Sequence, residues 1–169
     1  MAQNEWYAKD DYAALYAAVR EFCANPSTTL SSLCNIAALL YSSLSSLNWC
    51  GFYLLHNNEL VLGPFQGKVA CERIELGKGV CGKAALERKP LVVPDVHAFV
   101  GHIACDSASE SELVIPLLRE CPGSWQETQL LGVLDIDAPI KNRFTQEDLE
   151  GLLPIAQCIA STLNFNRLL

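Results

Sequence analysis

Three of the eight cysteines stand apart from the apolar stripes of the chain. Cys71 lies in Val69-Ala70-Cys71-Glu72-Arg73-Ile74, Cys81 in Gly79-Val80-Cys81-Gly82, and Cys105 in Gly101-His102-Ile103-Ala104-Cys105-Asp106-Ser107. A thiolate is a strong nucleophile, and a thiol beside a loop on a rigid scaffold sits where function concentrates. Cys81 follows a glycine turn at an expected helix N-terminus, where backbone N–H groups favour the thiolate. Cys105 falls in an irregular stretch over 95–111, a length that compact domains keep for lids and binding loops. From the residues alone, each of the three reads either as a reactive thiol or as an inert one. Cys23, Cys34 and Cys158 lie inside helical patterns and are expected to pack as small hydrophobes.

Acids form a second group. Asp135 and Asp137 flank Ile136 at the end of an apolar strand, and strand positions two apart share a face. The pair is either two solvated acids or a pocket wall that binds a cation or shares a proton. Like charges that close raise one pKa, which suits a general acid. Glu110 and Glu112 are similarly spaced, with Glu112 directly before a strand. Trp49 and Tyr53 share a face of the first strand, as core or as the wall of a small apolar site. The three histidines show no nucleophile partner at a recognisable spacing. Neither Cys-x-x-Cys nor His-x-x-x-His occurs, so no metal site is expected.

The elements that must position these residues follow from hydrophobic periodicity. Helical spacing predicts helices over 10–24 and 29–46. Strands are expected at 49–55, 59–62 and 69–76, with Gly63-Pro64-Phe65-Gln66-Gly67 as an interruption. A glycine loop then enters a short helix over 80–88. Further strands are expected at 91–93, 113–118 and 130–136, and a helix over 144–164 closes the chain with Thr145 as its cap. Helices at both ends and hairpin-like connections between strands indicate an α+β domain. No repeat or low-complexity linker divides the 169 residues. A single domain over 1–169 is expected: N-terminal helices in 1–47, the sheet in 48–137, the C-terminal helix in 144–169.

Composition narrows the function classes. Twelve Lys and Arg against nineteen Asp and Glu leave a net charge of −7. An acidic chain without a basic cluster suits neither nucleic acid nor an anionic membrane. No apolar run has the length of a membrane span. The N-terminus, Met1-Ala2-Gln3-Asn4-Glu5, lacks the features of a secretory signal, so a cytoplasmic, reducing compartment is expected.

Five motifs occur in order: Gly63-Pro64-Phe65-Gln66-Gly67-Lys68, Ala70-Cys71, Gly77-Lys78-Gly79-Val80-Cys81-Gly82, the Gly101 to Ser107 stretch, and Gly132-Val133-Leu134-Asp135-Ile136-Asp137. Together they resemble the free methionine-(R)-sulfoxide reductases, which are GAF-domain enzymes. The resemblance implies a GAF fold, a six-stranded antiparallel sheet with the N- and C-terminal helices packed on one face. It implies reduction of free L-methionine-(R)-sulfoxide to methionine, through a cysteine sulfenic acid and an intramolecular disulfide that thioredoxin recycles. Carried over residue by residue, Cys105 matches the nucleophile, Cys71 its resolving partner, and Cys81 a third cysteine of varying role. Glu112, Asp135 and Asp137 match pocket carboxylates. Asp137, supported by Glu112, is expected to share the proton, and Asp135 to meet the substrate's ammonium. Trp49 and Tyr53 match the aromatics around the methyl-sulfur end. No cofactor is implied, and family members are commonly homodimers. The chain departs from the pattern at Val100, at Ala138 and in a longer hairpin over 119–129 carrying Cys121. A non-catalytic GAF module that senses a small molecule is the alternative.

Overall fold

The computed structural model describes residues 10–24, 26–101, 107–123, 128–165 and 168. Two helices come first, α1 (Tyr12–Ala24) and α2 (Thr29–Ser43). They are followed by β1 (Trp49–His56), β2 (Glu59–Gly67), β3 (Arg73–Glu75), α3 (Gly79–Glu87), β4 (Leu91–Val93), β5 (Ser111–Glu120), β6 (Thr128–Ala138) and α4 (Gln146–Thr162). The strands form one sheet in the order β3-β2-β1-β6-β5-β4, with every neighbouring pair antiparallel. This is the α+β arrangement that the sequence pattern predicts.

Helices α2 and α4 start where a side chain satisfies an orphan N–H, whereas α3 has no side-chain cap. Thr28 accepts from the Ser31 amide at 3.1 Å to cap α2. Thr145 and Asp148 cap α4 reciprocally, a capping box. Helix α2 ends at Ser43, short of the expected 46, because tertiary partners take the backbone beyond it. The Asp10 carboxylate accepts from the Ser45 amide at 3.0 Å and its hydroxyl at 2.6 Å, and Arg143 Nε donates to the Ser45 carbonyl at 2.8 Å.

The pleat splits the apolar side chains into two cores. Cys50, Phe52 and Leu54 of β1, Leu113, Ile115 and Leu117 of β5, and Leu134 and Ile136 of β6 meet α1, α2 and α4 on one face. Trp49, Tyr53, Val114 and Val133 project to the other face, which Val80, Cys81, Ala84 and Ala85 of α3 cover. Full burial of each large side chain contributes about 1.5–3 kcal/mol.

Three expectations need correction. Gly63-Pro64-Phe65-Gln66-Gly67 does not interrupt β2 but continues it. The β1–β2 register shifts between Gly51 and Tyr53, so a bulge absorbs the glycine and proline. Strand β3 pairs only with Glu59 to Val61, so Pro64 lies on an open edge where its missing N–H costs no ladder bond. The strand expected over 69–76 shrinks to β3. Val69 is 87% exposed, and Cys71 sits in the connecting loop rather than on a strand. Cys34, expected in the core, is exposed, while Cys23 is buried and Cys158 half-buried.

Candidate active site

Cross-strand register brings the acids together. Asp137 stands opposite Trp49 on β1 and Glu112 on β5, and Asp135 stands opposite Gly51 and Val114. Directly opposed residues share a face. Glu112, Asp135 and Asp137 therefore project on the same side as Trp49 and Tyr53, beneath α3. Glu112 is 7% exposed and Asp135 6%. Cys81, in the first turn of α3, reaches down onto this floor and its Sγ donates to Glu112 Oε1 at 3.7 Å. One donor atom each from Cys81, Glu112 and Asp135 lies within 4.8 Å of the others.

Burial sets the electrostatics. Desolvation, reinforced by the Asp135 and Asp137 charges, pushes the Glu112 carboxyl well above the usual range. Asp135 is raised by burial to about 6, held from going further by hydrogen bonds from Cys81, Glu112 and the Ile136 backbone. Burial and the neighbouring Asp135 and Glu112 push the Cys81 thiol well up. That outcome corrects the expectation of a thiolate favoured by the helix N-terminus. Desolvation and two carboxylates outweigh a helix-end effect of about 0.3–1 kcal/mol.

Asp135 Oδ1 is buried and has no hydrogen-bond partner among the described residues. A buried carboxylate oxygen in that position is costly unless a donor or cation meets it. The Cys81, Glu112 and Asp135 donors are close enough to surround a cation or to pass a proton among themselves.

The apolar wall is a stack of three rings. Trp49 packs on Tyr53 at 5.9 Å between centroids and on Phe65 at 5.3 Å. Trp49 Nε1 donates to the Lys68 carbonyl at 3.1 Å, and the Tyr53 hydroxyl donates to the Cys71 carbonyl at 3.1 Å. Both bonds tie the 68–72 loop to the floor of the site. Gly51 makes the stack possible, because a Cβ there would lie 2.3 Å from Phe65 Cβ and 2.7 Å from the Trp49 ring. Gly82 seats α3, since its Cβ would meet the Glu75 carbonyl at 2.3 Å. Phe65, Gly51 and Gly82 are absent from the sequence-predicted site. Phe65 was readable only by extending β2 through the proline, which puts it opposite Gly51.

Of the other sequence-predicted residues, Cys71 borders the site through the hydrogen bond that Tyr53 donates to its carbonyl. Cys71 is disulfide-bonded, whereas Cys23, Cys34, Cys50, Cys81, Cys121 and Cys158 are free. Cys105 lies outside the described residues. Cys50, although next to Trp49, faces the helical core. Cys121 follows the end of β5, where Leu118, Arg119 and Glu120 pair with Leu130, Gln129 and Thr128. The longer hairpin thus extends the β5–β6 ladder away from the site. No described helix is long and apolar enough to cross a membrane.

The chain is similar to known proteins over most of its length. The GAF domain family matches residues 27–163. The free methionine-R-sulfoxide reductase of Escherichia coli is 48% identical over 154 residues, covering 90% of this chain and 85% of that protein. The solved structure of fRMsr of Staphylococcus aureus in its reduced form superposes with a TM-score of 0.83 at 45% identity, over 91% of this chain and 96% of that one. The free methionine-R-sulfoxide reductase of Neisseria meningitidis, solved in complex with its substrate, gives 0.82 at 36% identity, over 95% and 94%.

Proposed function

The chain belongs to the free methionine-R-sulfoxide reductases of the GAF-domain family, an oxidoreductase family, and on that premise we propose that it reduces free L-methionine-(R)-sulfoxide to methionine. The observation that carries the reading is the buried cluster of Cys81, Glu112 and Asp135 against the Trp49–Tyr53–Phe65 stack. The substrate has an apolar methylthio end, a polar S–O group and a free ammonium. The stack suits the first. A carboxyl held protonated suits the second, because a sulfoxide sulfur becomes electrophilic when its oxygen receives a proton. The unsatisfied Asp135 oxygen suits the third: with a pKa of about 6, Asp135 is ionised at neutral pH.

Burial places the retained proton on Glu112, so Glu112 donates to the sulfoxide oxygen. Asp137, directly opposite, shares that proton in a supporting role, the reverse of the order expected from the sequence. Cys105 is the nucleophile. Its sulfur attacks the sulfoxide sulfur, methionine leaves, and Cys105 becomes a sulfenic acid. The Cys71 thiol then attacks the sulfenic sulfur, and water departs as the disulfide forms. Support for this pairing comes from Cys71 being disulfide-bonded while six of the other seven cysteines are free. Cys81, a thiol that donates a hydrogen bond to Glu112, acts as an auxiliary group. A dithiol protein such as thioredoxin returns the enzyme to the thiol state by exchange. The cytoplasm is the proposed compartment and a homodimer the proposed assembly.

The test is turnover with free methionine-R-sulfoxide and dithiothreitol, followed by chromatographic measurement of methionine. Steady methionine release supports the reading. Tight binding of the sulfoxide without methionine release would turn the protein into a sensor module.

A further inference from the structure

Cys81, Glu112 and Asp135 offer one sulfur and two carboxylate oxygens, all within 4.8 Å of one another and all buried. Each is held by a different element. Cys81 sits in the first turn of α3, which Gly82 seats against the Glu75 carbonyl. Glu112 and Asp135 are fixed by the β5–β6 ladder, where Glu112 pairs with Asp137 and Val114 with Asp135. Donors on rigid, paired elements are preorganised. Spacing in the sequence did not show them as a set, because Cys-x-x-Cys and His-x-x-x-His patterns detect only ligands on one short segment. The distances suit a tetrahedral cation. Zinc bound by a thiolate at about 2.3 Å and a carboxylate at about 2.0 Å places sulfur and oxygen about 3.5 Å apart. Cys81 Sγ and Glu112 Oε1 already stand 3.7 Å apart, so side-chain rotation completes the set without backbone movement. A separate observation points to a ligand: Asp135 Oδ1 is buried with no hydrogen-bond partner among the described residues. Magnesium and calcium ask for six or more oxygens, whereas one thiolate with two carboxylates suits a zinc-type ion. Asp137, half-buried at the end of β6 opposite Glu112, gives the cluster an acidic border toward solvent by which a cation enters.

We infer that Cys81, Glu112 and Asp135 form a binding site for one zinc-type divalent cation, and that the bound cation shuts the substrate out. The cation takes the place of the proton that Cys81 directs at Glu112. Ligand protons leave to solvent as it binds, and no electrons move. Three protein ligands leave the fourth tetrahedral position to water. The charge of the cation lies where the substrate's ammonium is proposed to lie, so the two are not bound together. The exclusion of substrate rests on the function proposed above; the cation site does not. A chelator that removes the cation frees the site again.

The probe is cobalt(II), which takes tetrahedral zinc sites and reports a thiolate ligand by a charge-transfer band in the near ultraviolet. The full-length wild-type protein is used in its Cys71-disulfide form, stripped with EDTA and free of added thiol, and is titrated anaerobically with cobalt chloride. The expected result is one cobalt per chain with the thiolate band, lost again when zinc is added. Cys34→Ser, at an exposed thiol, should leave the titration unchanged. Cys81→Ser should abolish the band, and Asp135→Asn should raise the cobalt Kd about tenfold or more. Competition is measured in the reduced Cys71→Ser/Cys105→Ser variant, which lacks the proposed nucleophile and its partner. There, free methionine-R-sulfoxide at ten times its own Kd should raise the apparent cobalt Kd about tenfold. A wild-type titration without the thiolate band, or a band that survives Cys81→Ser, would overturn the site. Should Cys81→Ser fail to fold, Asp135→Asn decides, since an unchanged cobalt Kd in that isosteric variant would overturn it equally. A thiolate band with a cobalt Kd indifferent to the sulfoxide would overturn the exclusion of substrate. Methionine formation in metal-free buffer is read separately, so a failed cation site and a failed reductase reading are told apart.

Discussion

Replacing Asp135 with Asn should make the protein more stable and a poorer reductase. The folded protein raises the Asp135 carboxyl from 3.8 to about 6. A folded-state pKa above the unfolded one means that the native state holds the proton more tightly. The stability this gives is full below about pH 4 and is lost as pH rises through about 6. A shift of about two units corresponds to about 3 kcal/mol at neutral pH. Asn keeps the shape without the ionisation, so it escapes that loss. The stability difference between Asp135→Asn and the parent should widen by about 2 kcal/mol from pH 4.5 to pH 7.5. Urea unfolding at both pH values in reducing buffer, followed by far-UV circular dichroism, measures it. At pH 7.5 the same variant should raise the half-saturating substrate concentration about ten- to a hundredfold, as expected for loss of a charged hydrogen-bond partner. A pH-independent difference, or one that narrows toward pH 7.5, would refute a buried, strained Asp135.

Glu112→Gln should lower the rate of the chemical step about ten- to a hundredfold with little change in half-saturating substrate, read from single-turnover traces. Gly51→Ala forces a Cβ to within 2.3 Å of Phe65; it should cost about 1–3 kcal/mol in denaturant unfolding and weaken substrate binding by displacing the ring stack. Asp148 is opposed by burial but held at about 2 by bonds from Thr145, Tyr12 and Arg143. Its contribution is present above about pH 4 and lost as pH falls through about 2, so the acid-induced loss of stability in that window should shrink in Asp148→Asn.

The helices and most strands were legible because their apolar residues repeat with the period of the element that buries them. The strand alternation also placed Asp135 and Asp137 on one face before any register was known. Register was needed to add Glu112, since only pairing with Asp137 puts it over the same floor. Phe65 was hidden by the Gly63-Pro64 bulge in the β1–β2 pairing, where the proline is tolerated because β3 pairs only with Glu59 to Val61. The state of Cys81 was hidden for a different reason. Its helix position suggests a thiolate, and only the tertiary arrangement reveals the buried carboxylates beneath it. Cys34 fits a helical stripe but falls on the outward side of α2, which the stripe alone does not distinguish at its margin.

The central claim is that one chain carries one equivalent of reducing power at Cys105, directed at the free amino acid. The direct measurement is methionine formed when fully reduced protein meets excess methionine-R-sulfoxide without any reductant, with the chain then mapped for disulfides. The account predicts one methionine per chain, a Cys71–Cys105 link, no product with Cys105→Ser, and little product from N-acetyl-methionine-R-sulfoxide, which lacks the ammonium. Near-normal methionine formation by Cys105→Ser, or equal reduction of the acetylated compound, would contradict it.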